Sequence, residues 1–307
     1  MLQVGKNGEL CMLTIFACPK GFDDKHIRII QRNAIRSWLL LKPRPEVFLF
    51  GDAIGVAGTC AEFGLVHVPQ VETNEFGTPL LNDVFRKVER LASGKLFCYI
   101  NADIMLPTDF YNTVTAVAQR KRRFLMGGRP WNLDVADELR FEPGWQQALI
   151  DRTMKEGQLR SPRSCDFFVY PKGLWGHLPP FALGRSYFDS ALLYRARQVG
   201  AALVDATQAV VAIHQNHSSP SHLSGSEYLD NPEAKRNMML GGGPRCVFTW
   251  KNATHVIKEG QPRFHLLGYL RVIGPESPVT TFVYRWFLKP IRAVHSIGQE
   301  MLQGRKV

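Results

Sequence analysis

The sequence predicts an α/β fold, a mostly parallel sheet with helices on both faces. Three observations carry this. Short apolar runs alternate with segments of helical period through the first third of the chain. Those runs are nearly continuous in apolar residues, as strands covered on both faces are. Polar residues (Asp52, Asn101, Asp103) follow the runs directly, at the strand ends where such sheets bind ligands.

The first strand spans Cys11 to Cys18 and stops at Pro19. Asp23 or Asp24 caps a helix from Lys25 to Leu41, in which Ile27, Ile30, Ala34, Ile35 and Trp38 recur at helical spacing before Pro43 ends it. Glu46 to Phe50 is a strand ending in Gly51-Asp52, Gly55 to Cys60 turns into a short helix, and Leu65 to Val68 is a third strand. Pro79 opens a helix from Leu80 to Ala92, and the fourth strand, Lys95 to Ile100, runs into Asn101-Ala102-Asp103. Then come a helix over Phe110–Gln119, the basic run Arg120-Lys121-Arg122-Arg123, and a strand over Phe124–Gly127. Trp131 to Asp151 is a loop with a helix. Asp166–Tyr170 is a strand, Tyr187–Val199 a helix and Val210–Ile213 a strand ending at His214.

From Ser218 the character changes. Ser218–Ser221 and Gly241–Pro244 punctuate the chain around a helical stretch, Tyr228–Met239. The expected division is a first unit over 1–217 and a C-terminal helical extension over 218–307, interfacial or oligomerising. Its tail, Thr280–His295, mixes Phe282, Trp286 and Phe287 with Arg285, Lys289 and Arg292. Such a segment suits a membrane interface, and equally packing on the domain or on a second copy in a homo-oligomer.

The 307 residues suffice for one large α/β domain, or one domain and an appendage. With 45% hydrophobic and 21% charged residues the chain is an ordinary globular one, so disorder is not expected for most of it. The net charge of +11 favours an anionic partner: a phosphorylated substrate, an acidic membrane surface or nucleic acid. No Walker loop, zinc-finger spacing or helix-turn-helix signal supports nucleic acid, which is therefore not expected. A basic surface kept for solubility is the plainer alternative. Six cysteines without CxxC spacing exclude a zinc site and read as reduced, buried thiols. The polar Met1–Leu10 is no signal peptide, and no apolar run reaches ~18 residues. A cytoplasmic protein is expected, with contact to the cytoplasmic face of a membrane left open by the tail.

The sharpest chemical feature is Tyr99-Ile100-Asn101-Ala102-Asp103-Ile104. On extended chain a spacing of two puts Asn101 and Asp103 on one face. A carboxylate and an amide oxygen there suit Mn²⁺ or Mg²⁺, which would neutralise a diphosphate; otherwise the two cap a strand-end turn. Arg32 and Arg36 lie one helical turn apart, to meet a phosphate or plain solvent. After the strand over Phe124–Gly127, Arg129 is a candidate for the diphosphate and Trp131 for stacking on a sugar, with Trp145 and Trp175 as further stacking candidates.

With these residues the chain resembles GT-A glycosyltransferases, the family-2-like group, whose fold is Rossmann-like. Their central strand ends in Asp-x-Asp or a variant, and Asn101-Ala102-Asp103 looks like a variant with Asn in the first acidic place. The resemblance implies that Asp103 contacts metal and diphosphate. It implies a nucleotide site at Thr14 and Phe16 on the first strand, with Asp52 toward the base. It makes Asp189 the general base on an acceptor hydroxyl, with Asp166 the alternative acid or an acceptor-orienting group. It implies that His214 or His217 completes the metal site, a role neutral imidazole suits. The implied activity moves a sugar from a nucleotide-sugar donor to a carbohydrate acceptor with a divalent metal. Two other readings stay open. A nucleotidyltransferase would want a glycine-rich loop that Cys18-Pro19-Lys20-Gly21-Phe22 does not supply. A catalytically silent carbohydrate-binding or scaffold protein of the same fold would explain Asn101.

Overall fold

The computed structural model describes residues 13–107, 109–217 and 231–273. The tail over Thr280–His295 and the start of the helix expected at Tyr228 lie outside the described residues. The elements are β1 (Leu13–Ala17), α1 (Lys25–Leu39), β2 (Glu46–Phe50), α2 (Val56–Phe63), β3 (Val66–Val68), α3 (Leu81–Leu91), β4 (Leu96–Ile100) and β5 (Ile104–Met105). They continue with α4 (Asp109–Arg120), β6 (Phe124–Gly127), β7 (Trp131–Leu133), α5 (Trp145–Glu156), β8 (Gln158–Leu159), β9 (Phe167–Pro171), α6 (Phe188–Gln198), β10 (Ala202–Asp205) and β11 (Ile213–Gln215). The last are α7 (Pro232–Leu240), β12 (His255–Lys258), β13 (Gln261–Phe264) and α8 (Leu266–Ile273).

Nine strands make the main sheet, in the order β13-β12-β10-β6-β9-β4-β1-β2-β3. β3, β2, β1 and β4 are mutually parallel, as are β6, β10 and β12; β9 runs antiparallel between β4 and β6, and β13 antiparallel at the edge. The expected α/β class is thus the observed one. The continuous apolar runs have the cause inferred for them. In β1, Leu13, Ile15 and Ala17 enter one core with Trp38 of α1, while Phe16 enters the other with Phe85 of α3. Each face is covered, so both alternating sets are apolar.

Asp24 caps α1 by accepting the backbone N–H of Ile27 at 2.8 Å, as its place in the sequence suggested. A smaller sheet, β5-β11-β7-β8, leans on the main one. Its strands are two or three residues long, and the segment over 131–151 read as a loop hides one of them. The segment after 217 also departs from a purely helical extension. β12 and β13 join the main sheet beside β10, with Thr254 Oγ1 donating to Leu203 O at 3.3 Å and Trp250 Nε1 to Ser164 O at 3.0 Å. Their two-residue turn uses Glu259 and Gly260, both at positive φ, a hairpin geometry whose usual signal is Asn-Gly. Pro262 sits in the edge strand, where a missing N–H is tolerated.

Candidate active site at the carboxyl edge of the sheet

β4 ends at Ile100, and the chain does not stay extended. Ile104 N–H donates to Asn101 O at 3.1 Å, closing a turn over Ala102 and Asp103. The expected sharing of one face by Asn101 and Asp103 therefore does not occur. Asn101 Nδ2 turns to Asp166 Oδ1 at 2.9 Å, while Asp103 turns toward β11. Because β9 is antiparallel, Asp166, the residue just before it, lies beside the carboxyl end of β4, with Asn101 N–H donating to Asp166 O at 2.9 Å.

β11 pairs with β5 so that His214 stands opposite Ile104. His217 Nε2 meets Asp103 Oδ2 at 3.1 Å, and His214 Nε2 lies 3.7 Å from the same oxygen. One ligand atom from each of Asp103, His214 and His217 lies within 4.8 Å of the others. Asp103 Oδ1 is buried and has no hydrogen-bond partner among the described residues, and nor has His214 Nδ1. An ionised oxygen desolvated without a partner is costly unless a cation meets it. Two imidazoles and one carboxylate suit Mn²⁺ better than Mg²⁺, which favours all-oxygen shells. The residues present fit a divalent cation.

Burial opposes ionisation of Asp103, but the hydrogen bond with His217 and the charges of His214, His217 and Arg160 outweigh it, so its carboxyl lies below the ordinary range. Burial lowers His214 despite Asp103 and Asp166, leaving the neutral ring that ligation needs. Asp166 is pushed up by burial, against the charges of Arg160 and His214; its Oδ2 accepts from Arg160 Nη1 at 3.0 Å. Asp189, in the first turn of α6, rises to about 7. Burial is the main cause and the negative charge of Asp166 adds to it; the backbone N–H of Ser190 pulls the other way. The residue before α6, Tyr187, has φ 76°, a left-handed backbone that costs a non-glycine residue about 1 kcal/mol or more and survives only when its surroundings hold it. They do: Arg185 Nε donates to the buried Glu233 of α7 at 2.6 Å, and Arg185 Nη2 to Thr78 Oγ1 at 3.1 Å.

An open cavity of about 510 Å³ borders the cluster, lined by His214, His217, Arg160, Asn132, Asp134 and His26. Asp52 is exposed just past β2, on the same edge of the sheet. The other sequence candidates are placed elsewhere. Thr14 is fully buried at the far end of β1, its hydroxyl donating to Glu46 Oε2 at 2.8 Å. Phe16 is fully buried against Phe50, Phe85, Tyr99 and Tyr170. Neither can meet a ligand: in a doubly covered strand every side chain goes to core. Arg32 is held by Glu62 in a two-bond fork at 2.5 and 2.6 Å, and Arg36 by Glu138 at 3.3 Å; both guanidiniums lie over the Phe63 ring. They serve the packing of α1 on α2 rather than a phosphate. Arg129 Nε donates to Arg160 O at 2.6 Å and braces the cavity wall. Trp131 shares a sheet face with its register partner Ile213, opposite to Asn132 and His214, so its ring does not line the cavity. Trp175 is core, and Trp145 meets Phe141 edge-on over a second cavity.

Sequence reasoning missed Arg160, His26 and Gln215. Gln215 is fully buried and donates from Nε2 to Asp103 O at 3.0 Å and Ile30 O at 2.7 Å. Its position inside a three-residue strand was the only available signal. Arg160 follows the two-residue β8, too short to announce itself.

No protein-family model matches the chain, and no curated protein is similar to it in sequence. Among solved structures, the chain is similar to S. aureus TarS in complex with UDP-GlcNAc, with TM-score 0.49 and 13% identity over 75% of this chain and 65% of that one. It is similar to GalNAc-T7 with UDP, GalNAc and Mn²⁺, with TM-score 0.47 and 14% identity over 75% of this chain and 48% of that one. A third is glucosyl-3-phosphoglycerate synthase from Mycobacterium tuberculosis with Mn²⁺, UDP and phosphoglyceric acid, with TM-score 0.46 and 14% identity over 76% and 80% of the two chains. This chain spans less than two thirds of the length of the first two.

Proposed function

We propose that the chain is a glycosyltransferase that moves a sugar from a nucleoside-diphosphate donor to an acceptor hydroxyl. One observation carries the reading. At the carboxyl edge of a mostly parallel α/β sheet, Asp103, His214 and His217 converge within 4.8 Å beside an open, polar cavity, and the second Asp103 oxygen lacks a partner among the described residues. Asp103, His214 and His217 would hold a divalent cation, which when bound neutralises the charge of a leaving diphosphate. Arg160 supplies a fixed positive charge on the same wall. Asn101 acts indirectly, donating to Asp166 and keeping its carboxylate aligned with Arg160. Asp189 takes the proton from the acceptor hydroxyl as that oxygen attacks the anomeric carbon. A carboxyl raised to about 7 is a better proton acceptor than an ordinary aspartate and still ionises near neutral pH. Asp52 would meet the nucleotide, a role its exposure on the same edge supports.

The test is release of nucleoside diphosphate from UDP-, GDP- or dTDP-sugars, or of CMP from a CMP-sugar, by the purified protein with Mn²⁺. Asp103→Ala is expected to lower turnover by about 10²- to 10³-fold, as loss of one electrostatic stabiliser does. Turnover that survives the substitution would remove Asp103 from the site. If no nucleotide stabilises the protein, the catalytically silent reading prevails.

A further inference from the structure

The edge opposite the candidate active site carries a different chemistry. The parallel strands begin there, and the basic run Arg120-Lys121-Arg122-Arg123 leads into β6. Arg120, Arg122 and Arg123 are exposed. β13 ends at the same edge, since its Phe264 pairs with His255, the first residue of β12. α4, which carries Arg120, packs against β13. Burial, then the charges of Lys121 and Arg197, hold the His255 imidazole down at about 4, and its ring meets that of Phe264 edge-on at 5.7 Å. Phe264, Leu266 and Leu267 project into solvent, exposed by 56%, 58% and 47%. Arg263, on the opposite face of β13 from Phe264, and Arg271 are exposed too.

We propose that this edge docks on an anionic lipid bilayer surface. Three large apolar side chains within four residues, on an edge that also carries exposed arginines, combine the two forces that hold a peripheral protein at an interface: partition of apolar side chains and attraction to acidic headgroups. Charge selects the occupant. A second copy would bring the same arginines against themselves across a two-fold axis, and a nucleic-acid backbone would meet the arginines while leaving the leucines without an apolar partner. No helix among the described residues is long and apolar enough to cross a membrane, so the contact is peripheral. The sequence after α8 continues the composition, with Phe282, Trp286 and Phe287 among Arg285, Lys289 and Arg292. Because Asp103 and Asp189 lie at the other ends of the strands, the docked protein presents its candidate site to the aqueous side.

The experiment is co-sedimentation of the full chain with phosphatidylcholine vesicles, with and without phosphatidylserine, at low and high salt. Binding is expected only to vesicles with phosphatidylserine, and to fall with salt. Arg120→Gln/Arg122→Gln/Arg263→Gln is expected to weaken it about 100-fold, at the usual worth of a basic side chain near an acidic membrane. Leu266→Glu/Leu267→Glu is expected to abolish it, with Tm unchanged for both variants because every altered side chain is exposed. Absence of binding, equal binding to both vesicle types, or binding untouched by the Glu variant would overturn the proposal. So would a wild-type dimer in ultracentrifugation that the Glu variant splits, or an RNA oligomer that competes the vesicles away.

Discussion

Asp189 shows how one side chain is set by position. It heads a helix, where an aspartate is usually stabilised as the anion, yet burial beside Asp166 raises it to about 7. A general base works ionised, so activity is expected to rise with pH through about 7. Asp189→Asn is expected to cost about 10²- to 10⁴-fold and to erase that limb of the profile. A limb left intact in the variant would assign the base elsewhere. Stability is linked with the opposite sign. The folded state holds this proton more tightly than an unfolded aspartate does. The protonated carboxyl's contribution is therefore fully present below about pH 4 and is lost as the pH climbs through about 7. Asp189→Asn is thus expected to raise Tm by a few degrees at pH 8 and to change little at pH 4. The places of Asp103, at a strand end, and of Asp189, in the first turn of a helix, were legible in the sequence, while the role given to Asp189 came from the resemblance alone. The partnership of Asn101 with Asp166 was not, because it depends on a turn where an extended chain was the natural expectation.

Among elements, the two-to-five-residue strands decide the site, and Gln215 of β11 ties three of its parts together. Its Nε2 donates to Asp103 O and to Ile30 O of α1, while its Oε1 accepts from Asn33 Nδ2 at 3.1 Å. Gln215→Leu keeps the approximate shape and takes one hydrogen bond from each of those three buried groups. It is expected to cost about 1–3 kcal/mol in denaturant unfolding, since unmade buried hydrogen bonds lose their full desolvation. It is also expected to weaken Mn²⁺ binding in titration calorimetry, because the Asp103 turn loses its anchor. A variant with wild-type stability would show that water replaces the amide. The sequence showed the long elements well: β1, α1, β2, α3, β4 and α6 lie within a few residues of their expected places, because buried strands and amphipathic helices write long patterns. β5, β7 and β8 are too short to write one, the strand expected over Val210–Ile213 lies a few residues later as β11, and β12–β13 turn on Glu259-Gly260. Arg160 and Asn132 sit on or beside such short pieces, and His26, at the start of α1, joins them only through Asn216 O just past β11, so the cavity wall was illegible while the neighbouring Asp103 was not.

At the scale of the whole molecule, charge and site pull in opposite directions. The net charge of +11 gives the protein no general affinity for cations, and its exposed arginines repel them. Stabilisation by Mn²⁺ must therefore come from a local arrangement strong enough to overcome that field, and Asp103 with two imidazoles is the one such cluster among the described residues. A ligand that binds only the folded state adds RT ln(1 + [L]/Kd), about 2.7 kcal/mol at 100 times Kd, or a rise in Tm of roughly 5 °C for a chain of this size. Mn²⁺ is expected to produce a shift of that order, EDTA to reverse it, and equal Mg²⁺ to produce less, because nitrogen donors favour the transition metal. Asp103→Ala is expected to abolish the shift while lowering the metal-free Tm by no more than a few degrees, since the substitution removes the hydrogen bond to His217 together with a buried oxygen that has no partner among the described residues. A shift that persists in the variant would place the metal elsewhere. A metal-free Tm that collapses would show that the Asp103 carboxylate serves the fold through His217 rather than a cation, because a side chain held in place for a ligand contributes little to the metal-free fold.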